Sequence, residues 1–257
     1  MSEDMGKKIE KLIIDYVNEY MKNTEIKTRW KKPLIAFASA DDSLFHKLKE
    51  VANPNHLMPK DILHGAKSVI TYFLPFDESI PISNMNGRKS SLEWATAYIE
   101  TNKMIGKLND FLIEIIREMG NKAAKLDPKL NMDYEKLTSI WSNRHVAYIA
   151  GLGTFGLNNM LITKNGCCGR LGNIITDLEL KPTKRPNYEY CLFKYNGSCG
   201  YCADKCVNDA LYREEFDRFK CFEMCLENEK LHSDLKEEVQ VCGKCLTVVP
   251  CSFNVPV

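Results

Sequence analysis

The chain has 257 residues, of which 27% are charged and 44% hydrophobic, and its formal net charge is +1. This length suffices for one large domain or for a medium domain with a small one, and the balanced charge gives no general reason to expect nucleic acid or an anionic membrane as partner. The first 16 residues are charged and amphipathic without an apolar signal core, and the longest apolar run, residues 68–76, is about half a membrane span. We therefore expect a cytoplasmic protein without a membrane partner.

Hydrophobic periodicity predicts a sheet with helices packed on it, in an α/β or α+β arrangement. The second helix is expected to be capped by Asp41 or Asp42 and to bury Leu44, Leu48 and Val51. In chain order the predicted elements are a helix over residues 7–22, a buried strand over 33–39, a helix over 40–52, a buried strand over 66–75, a long helix over 91–119 closed by Gly120, a helix over 134–149, and two strand-like segments over 159–163 and 170–180 joined by a turn.

The cysteines are concentrated in the last quarter of the chain. None of the eleven precedes Cys167, and nine lie between Cys191 and Cys251. A secreted disulfide scaffold spreads its cysteines through a short chain, whereas bunched cysteines in a cytoplasmic protein more often bind metal. The Pro- and Lys-rich stretch 181–190 predicts a boundary between an α/β cofactor- and substrate-binding domain, residues 1–185, and a metal-binding module, residues 186–257.

The cysteine spacing is typical of a ferredoxin-like module with two 4Fe–4S clusters. The fourth cysteine of each bacterial ferredoxin run binds the cluster of the other run. This crossed pattern predicts one cluster on Cys191, Cys199, Cys202 and Cys251, and a second on Cys206, Cys221, Cys242 and Cys245. Cys225 is left as a substitute for Cys221 or as a buried thiol. Zinc and disulfides are the alternatives, although nine cysteines exceed one tetrahedral zinc site.

Residues 150–157, AGLGTFGL, contain the glycine spacing G-x-G-x-x-G. A dinucleotide site needs a strand before the first glycine and a helix after the last, but here the predicted order is reversed. The simpler interpretation is a helix C-cap with a tight turn. Gly151 or Gly153 then adopts positive φ, and Gly156 permits a close backbone approach.

The sequence resembles the epoxyqueuosine reductases over roughly residues 30–255, most closely from Arg144 onward. That family has the form A-x-x-A-G-L-G-W-x-G-K-N-x-x-L-I followed by G-S-W-F-F-L-G-E-I-x-T-D. This chain departs from it at Thr154, at Leu157 and at the Cys167–Cys168 pair, and the family's acid has no direct counterpart beyond the nearby Asp133 and Glu135. The matching residues are Ala150, Gly151, Leu152, Gly153, Gly156, Asn158, Leu161, Ile162, Gly166, Leu171, Gly172, Ile174, Thr176 and Asp177.

The resemblance implies an α+β fold, with a sheet like that of flavin reductases and cobalamin-trafficking proteins, joined to the ferredoxin-like module. It also implies that the glycine loop and the following strands line the face of a cobalamin. The vicinal thiols could instead be redox-active or be apolar packing in a strand. The candidate cofactor-binding residues are Gly151, Gly153, Gly156, Asn158, Cys167, Cys168 and Gly172.

The implied function is that of an iron–sulfur oxidoreductase. Electrons from an external low-potential donor pass singly through the clusters and reduce a bound corrinoid, which reduces a small organic substrate or a modified nucleoside. The alternatives are a flavin-dependent reductase and a non-catalytic electron carrier or corrinoid-reducing partner protein. A tRNA partner is also implied, but the helical repeats that help the family hold tRNA have no counterpart in this sequence, so we expect a small-molecule substrate.

The segment before the glycine loop supplies the candidate catalytic residues. Arg144 and Tyr148 are four residues apart on one predicted helix face, with His145 beside them. His or Tyr could donate a proton during a reduction. Asp133 is a further candidate by position. The alternative is that the helix-end residues satisfy backbone carbonyls and that Asp133 is a solvated loop residue.

Overall fold

The computed structural model describes residues 2–257. Its helices are α1 (Ser2–Tyr20), α2 (Leu44–Val51), α3 (Pro59–Ile62), α4 (Ser79–Ser83), α5 (Leu92–Glu118), α6 (Asn143–Ile149), α7 (Leu192–Asn196), α8 (Tyr201–Asp204) and α9 (Arg218–Leu231), with single 3-10 turns at Pro128–Leu130 and Ser233–Leu235. Its strands are β1 (Leu34–Ser39), β2 (Ser68–Pro75), β3 (Ala123–Ala124), β4 (Met132–Asp133), β5 (Thr138–Ser139), β6 (Gly153–Phe155), β7 (Leu161–Thr163) and β8 (Gly169–Thr176).

The main sheet is antiparallel, with strand order β1-β2-β8-β3. The mixed α+β class is thereby confirmed. β2 pairs with all eight residues of β8, but β3 covers β8 only at Ile175 and Thr176 on the other side. Residues 169–174 of β8 therefore have an edge without a neighbouring strand, and unpaired edge groups are available to bind other molecules.

Helices pack on both faces of the sheet. On one face, Ile9 of α1 and Leu108 of α5 lie in a buried cluster with Tyr72 of β2. On the other face, Phe45 of α2 and Val146 of α6 lie with residues of β2 and β8. The first cluster also contains Tyr190, Val239 and Val241 from the cysteine-rich segment, so that segment shares the main core. The division at residue 185 stays a prediction.

The long helix is the most accurately predicted element. α5 has 27 residues, its N-cap Ser91 accepts a hydrogen bond from the Trp94 amide, and Gly120 follows it with φ of +80°. Ser91 satisfies one of the free amides of the first turn, and the glycine allows the left-handed exit. No helix within residues 2–257 is both long and apolar enough to span a bilayer.

Two local predictions were wrong. The helix expected over residues 134–149 begins only at Asn143, because β4 and β5 form a hairpin whose turn places Leu137 at φ of +49°. In α2, Phe45 and Leu48 face the core whereas Val51 is 66% exposed. The predicted cap residue Asp42 does accept a hydrogen bond from the Leu44 amide at 3.0 Å.

Candidate functional site

Four cysteines from three separate segments line one cavity that opens to solvent. We name Cys191, Cys199, Cys202 and Cys251 the first thiol group. The atoms that line this cavity are almost all apolar. Burial, followed by the charges of the three other thiols, raises the pKa of Cys202 to about 12. A free Cys202 thiol is thus protonated at neutral pH, and its thiolate needs a nearby cation to be stable.

The backbone around the first thiol group explains why the sequence folds this way. Gly197 ends α7 at φ of +78°, which reverses the chain between Cys191 and Cys199. Cys251 is held from behind, because the Cys167 amide donates to its carbonyl at 3.0 Å. A Cβ on Gly166, whose φ is +77°, would lie 2.2 Å from the Ser252 carbonyl oxygen, so only glycine fits this contact.

The other four predicted ligands form a second thiol group, defined as Cys206, Cys221, Cys242 and Cys245. Burial is the largest cause that raises the pKa of Cys245, followed by the charges of Cys242 and Cys221, with Cys202 and Cys206 contributing too. The contribution of Cys202 means that the two thiol groups are neighbours. Asn158, which lines the first cavity, donates from Nδ2 to the Cys245 carbonyl at 3.2 Å and connects them.

Cys225 lies one helical turn after Cys221 on α9, and the two thiols are hydrogen-bonded. The pKa of Cys221 falls to about 7, first because Cys225 donates to its thiolate and further because the Arg144 charge is near. The same contact, together with burial, raises the pKa of Cys225. Cys221 is therefore the more acidic of the pair, and whether Cys225 can replace it as a ligand stays open.

A buried lysine stands between two members of the second thiol group. Lys244 is 3% exposed, and its Nζ donates to the carbonyls of Asn84 at 2.8 Å and Asn86 at 2.7 Å. The Asn84 side chain in turn donates to the Cys242 carbonyl at 2.9 Å. Burial lowers the pKa of Lys244, and the Cys242 charge opposes that change.

The thiols of the first group surround a cavity and do not meet at a point. Within residues 2–257, no three His, Cys, Asp or Glu side chains converge closely enough to hold a single metal ion. In a 4Fe–4S cluster each thiolate binds a different iron, so its ligands are arranged around the cluster rather than around one atom.

The free edge of β8 lies beside α5 and α6, and we name the surface along this edge the β8 recess. Both helices contact β8, and the Asn173 side chain at this edge donates to Asn143 Oδ1 at 2.7 Å. Arg144, the next residue of α6, is exposed, yet burial by surrounding protein is the largest cause that lowers its pKa. Accessibility combined with strong desolvation places the Arg144 guanidinium in a concave part of the surface.

The candidate catalytic residues of α6 point in two directions. Arg144 donates to the Asn159 carbonyl at 2.6 Å and contacts the Met160 sulfur. The rings of His145 and Tyr148 instead lie 4.8 Å and 5.7 Å from the ring of Phe155. The structure thus pairs Tyr148 with His145 rather than with Arg144, contrary to the predicted shared face.

His145 is held in a neutral, oriented form. Its Nδ1 lies 2.7 Å from Ser142 Oγ. Burial, with a smaller contribution from the Arg144 charge, lowers the pKa of His145 to about 4. At neutral pH the ring is therefore the neutral imidazole, which has to take up a proton before it can donate one.

Asp133 has a local structural role. One of its carboxylate oxygens, Oδ1, accepts hydrogen bonds from the amides of Glu135 and Lys136, both at 3.0 Å, in the turn of the β4–β5 hairpin. These two bonds hold the carboxylate within the hairpin turn. The catalytic role of Asp133 stays a prediction that this geometry does not favour.

The glycine loop follows the predicted helix–turn–strand order, so no helix begins after it as a dinucleotide site would require. Gly151 has φ of +88°, as expected for one of the first two glycines. A Cβ on Gly153 would lie 1.9 Å from the Ile162 carbonyl oxygen, so the β6–β7 pairing requires glycine there. Gly156 lines the first thiol cavity.

The remaining candidate cofactor residues are interior. Cys168 donates from its thiol to the Leu246 carbonyl at 3.2 Å, and Cys167 Sγ lies 4.0 Å from Cys251 Sγ. Both thiols precede β8 instead of lying in a strand. The position of a Gly172 Cβ is occupied by the Tyr72 ring. Contact of these residues with a cofactor stays a prediction.

Sequence reasoning missed three residues of this region. Arg170 replaces a Phe of the family form quoted above, which was a usable signal. No sequence signal indicated the burial of Lys244 or the bridging role of Asn84, since a C-G-K-C segment and a lone loop asparagine are usually solvated.

The chain is similar in sequence to two epoxyqueuosine reductases. That of Cyclobacterium marinum is 27% identical over 203 residues, 76% of this chain and 61% of the relative. That of Leadbetterella byssophila is 30% identical over 168 residues, 64% of this chain and 50% of the relative. The chain thus spans between half and about three fifths of the length of these relatives. The resemblance found in the sequence is confirmed, although no model of a protein family matches the chain.

Solved structures with the same fold include an epoxyqueuosine reductase bound to an epoxyqueuosine-modified tRNA stem loop. It has a TM-score of 0.55 and 21% identity, and the match covers 93% of this chain and 64% of that one. A reductive dehalogenase with a proposed B12-dependent mechanism has a TM-score of 0.56 and 14% identity, over 85% of this chain and 30% of that one. The TM-scores show that these proteins share the fold of this chain.

Proposed function

We propose that this protein is an iron–sulfur oxidoreductase that passes single electrons through two 4Fe–4S clusters to a corrinoid in the β8 recess, where an organic substrate is reduced. The first cluster would be held by Cys191, Cys199, Cys202 and Cys251, and the second by Cys206, Cys221, Cys242 and Cys245. The observation that carries the proposal is the joint lining of one apolar cavity by all four members of the first thiol group.

The thiol groups fit such clusters chemically. Burial and neighbouring thiols disfavour free thiolates at Cys202 and Cys245, whereas a bound cationic cluster would compensate these charges. Thiols this concentrated gain stability by binding metal. The adjacency of the two groups, seen in the influence of Cys202 on Cys245, suits electron transfer between them.

In this proposal the planar corrinoid lies in the β8 recess, along the free edge of β8. When bound, the clusters would supply single electrons and the corrinoid a site of reduction beside the substrate. The chain itself would position the reactants. Arg144 fixes the 159–160 turn while placing a positive charge near Cys221, and Ser142 orients the neutral His145 ring. His145 and Tyr148 are then the candidate proton donors.

The substrate is either a small organic molecule or a modified nucleoside. The second class is supported by the related reductase that was solved with a tRNA stem loop, although this chain covers only 64% of that protein. Binding of a tRNA stem loop, compared with binding of the free nucleoside, separates these two classes.

Purification under strict exclusion of air tests the proposal. We expect about eight irons and eight sulfides per chain, because each cube holds four of each. The visible spectrum of added cobalamin should shift toward that of its base-off form. A zinc-only or iron-free protein would contradict the cluster assignment. Tight flavin retention without a shift of the cobalamin spectrum would mean that the β8 recess binds a flavin and not a corrinoid.

An enzyme is distinguished from an electron carrier by variants of the proton donors. His145→Ala and Tyr148→Phe should abolish substrate turnover while cluster reduction by dithionite proceeds at the wild-type rate. Equal loss of both would show that the variants damage electron entry. Unchanged turnover would remove these residues from the reaction.

A further inference from the structure

Arg170 is a desolvated cation on the central strand of the sheet. On β8 it lies on the same face as Ile174, which packs with residues of α5. Its guanidinium carbon lies 4.3 Å from the centroid of the Tyr98 ring. The side chain keeps partial solvent contact, and burial is the largest cause that lowers the pKa of Arg170. The Arg170 side chain is therefore largely surrounded by protein atoms, while part of it still reaches solvent.

No counter-ion offsets this charge within residues 2–257. Among the described residues, Tyr98 favours the charged form of Arg170 through a hydrogen bond and through its ring face, and no carboxylate contributes. The nearby arginines with ion pairs, such as Arg117 with Glu114, are surface residues. A desolvated guanidinium without a carboxylate costs folding free energy, so its retention points to a partner outside the chain.

Arg170 lies in the part of β8 that has one free edge, two residues after Cys168. The Cys168 thiol donates to the Leu246 carbonyl, which belongs to the residue after Cys245. Arg170 thus lies on the same stretch of chain that supports the second thiol group. The family form has an apolar Phe at this position, so the arginine is a feature of this chain.

We propose that Arg170 and Tyr98 form a binding site for one oxyanion group, a carboxylate or a phosphate, of a small organic ligand of the recess. The planar guanidinium presents paired N–H donors that match either oxyanion, and the Tyr98 face holds that plane in position. The assignment of this ligand as substrate rests on the proposed function, whereas the oxyanion site itself does not.

The test is thermal unfolding of the anaerobically purified protein with benzoate, phenyl phosphate or neutral benzamide, at constant pH and chloride-balanced ionic strength. We expect benzoate or phenyl phosphate, but not benzamide, to raise the Tm of the wild type in a saturable way. The more effective anion identifies the carboxylate or phosphate class. Arg170→Met should weaken that binding at least tenfold, and Arg170→Lys should retain part of it.

Arg117→Met on the exposed face of α5 is the matched control and should respond like the wild type. Arg170→Met should itself have a Tm at least equal to that of the wild type in chloride, because an unpaired charge is removed. An equal response of wild type and Arg170→Met to both anions, or no response of the wild type, would overturn the site. Iron content measured on each sample shows separately whether the cluster assignment fails.

Discussion

The two thiol groups have the same number of cysteines but different charged surroundings. In the first group, burial and the other thiols determine the pKa of Cys202, and the guanidinium of Arg213, an exposed side chain, lies over Gly200. In the second group, buried Lys244 acts on Cys242, and Arg144 acts on Cys221.

This difference should give the clusters that the two groups would bind different reduction potentials. A cluster gains negative charge on reduction, and a nearby desolvated cation stabilises that state more than an exposed, screened one does. The second thiol group should therefore give the higher reduction potential. Electrons would then move from the first cluster to the second.

The largest expected effect comes from removing one ligand of either group. Cys202→Ala and Cys245→Ala should each lower the iron content from about eight to about four per chain, since one cube loses a ligand. Iron and sulfide assays under anaerobic conditions measure this.

Cys168→Ala is the matched control, because Cys168 is buried beside the groups but belongs to neither. It should retain about eight irons. Loss of all iron in either ligand variant would mean that the groups assemble as one unit, contrary to the comparison of two separate sites.

Asn158 tests how strongly the groups are connected. Asn158→Ala leaves the Cys245 carbonyl and the Met160 amide without their side-chain partner. We expect the free energy of unfolding to fall by about 1–3 kcal/mol, the cost of unsatisfied buried polar groups. Denaturant unfolding measures it, with Asn165→Ala in the neighbouring turn as control, which should change the free energy by less than about 0.5 kcal/mol. Equal losses in both variants would refute the bridging role.

Lys244 tests the potential difference itself. Lys244→Gln keeps a donor for the two asparagine carbonyls but removes the charge, so the higher of the two midpoint potentials should fall by on the order of 50 mV. Arg213→Gln, which removes an exposed charge near the first group, should change the lower midpoint by much less. A larger shift in the Arg213 variant would reverse the assigned order.

The smallest effect concerns His145, whose pKa is lowered partly by the same Arg144 charge. The folded protein keeps this ring neutral down to about pH 4, whereas the unfolded chain protonates it near 6.5. The unfolded state binds more protons between these values, so stability contributed by His145 is lost as pH falls through this window. His145→Gln should flatten the decline of Tm from pH 6.5 to 4, and an identical decline would show that the ring titrates normally.

Sequence patterns were sufficient where local signals agreed. The Ser91 cap, the apolar period and Gly120 defined α5, and the unbroken apolar run of β2 defined the central strand. Residues 134–142 failed because Tyr134, Leu137 and Ile140 mimic helical spacing, whereas Asp133 and the positive φ of Leu137 form a hairpin turn.

The cysteine spacing predicts the membership of both thiol groups, but not their environment. Which cations become buried depends on contacts between distant segments, such as Asn84 with Lys244 and Arg144 with Cys221. A single sequence has no local signal for such pairs. The free edge of β8 could not be predicted from the sequence either. It exists because β3 is only two residues long.

An anaerobic redox titration followed by electron paramagnetic resonance tests the two-group account most directly. We predict two midpoint potentials and, at full reduction, about two unpaired spins per chain that interact magnetically, because each reduced cube contributes one spin and the thiol groups are adjacent. A single midpoint with one spin, or a protein silent at all potentials, would contradict it.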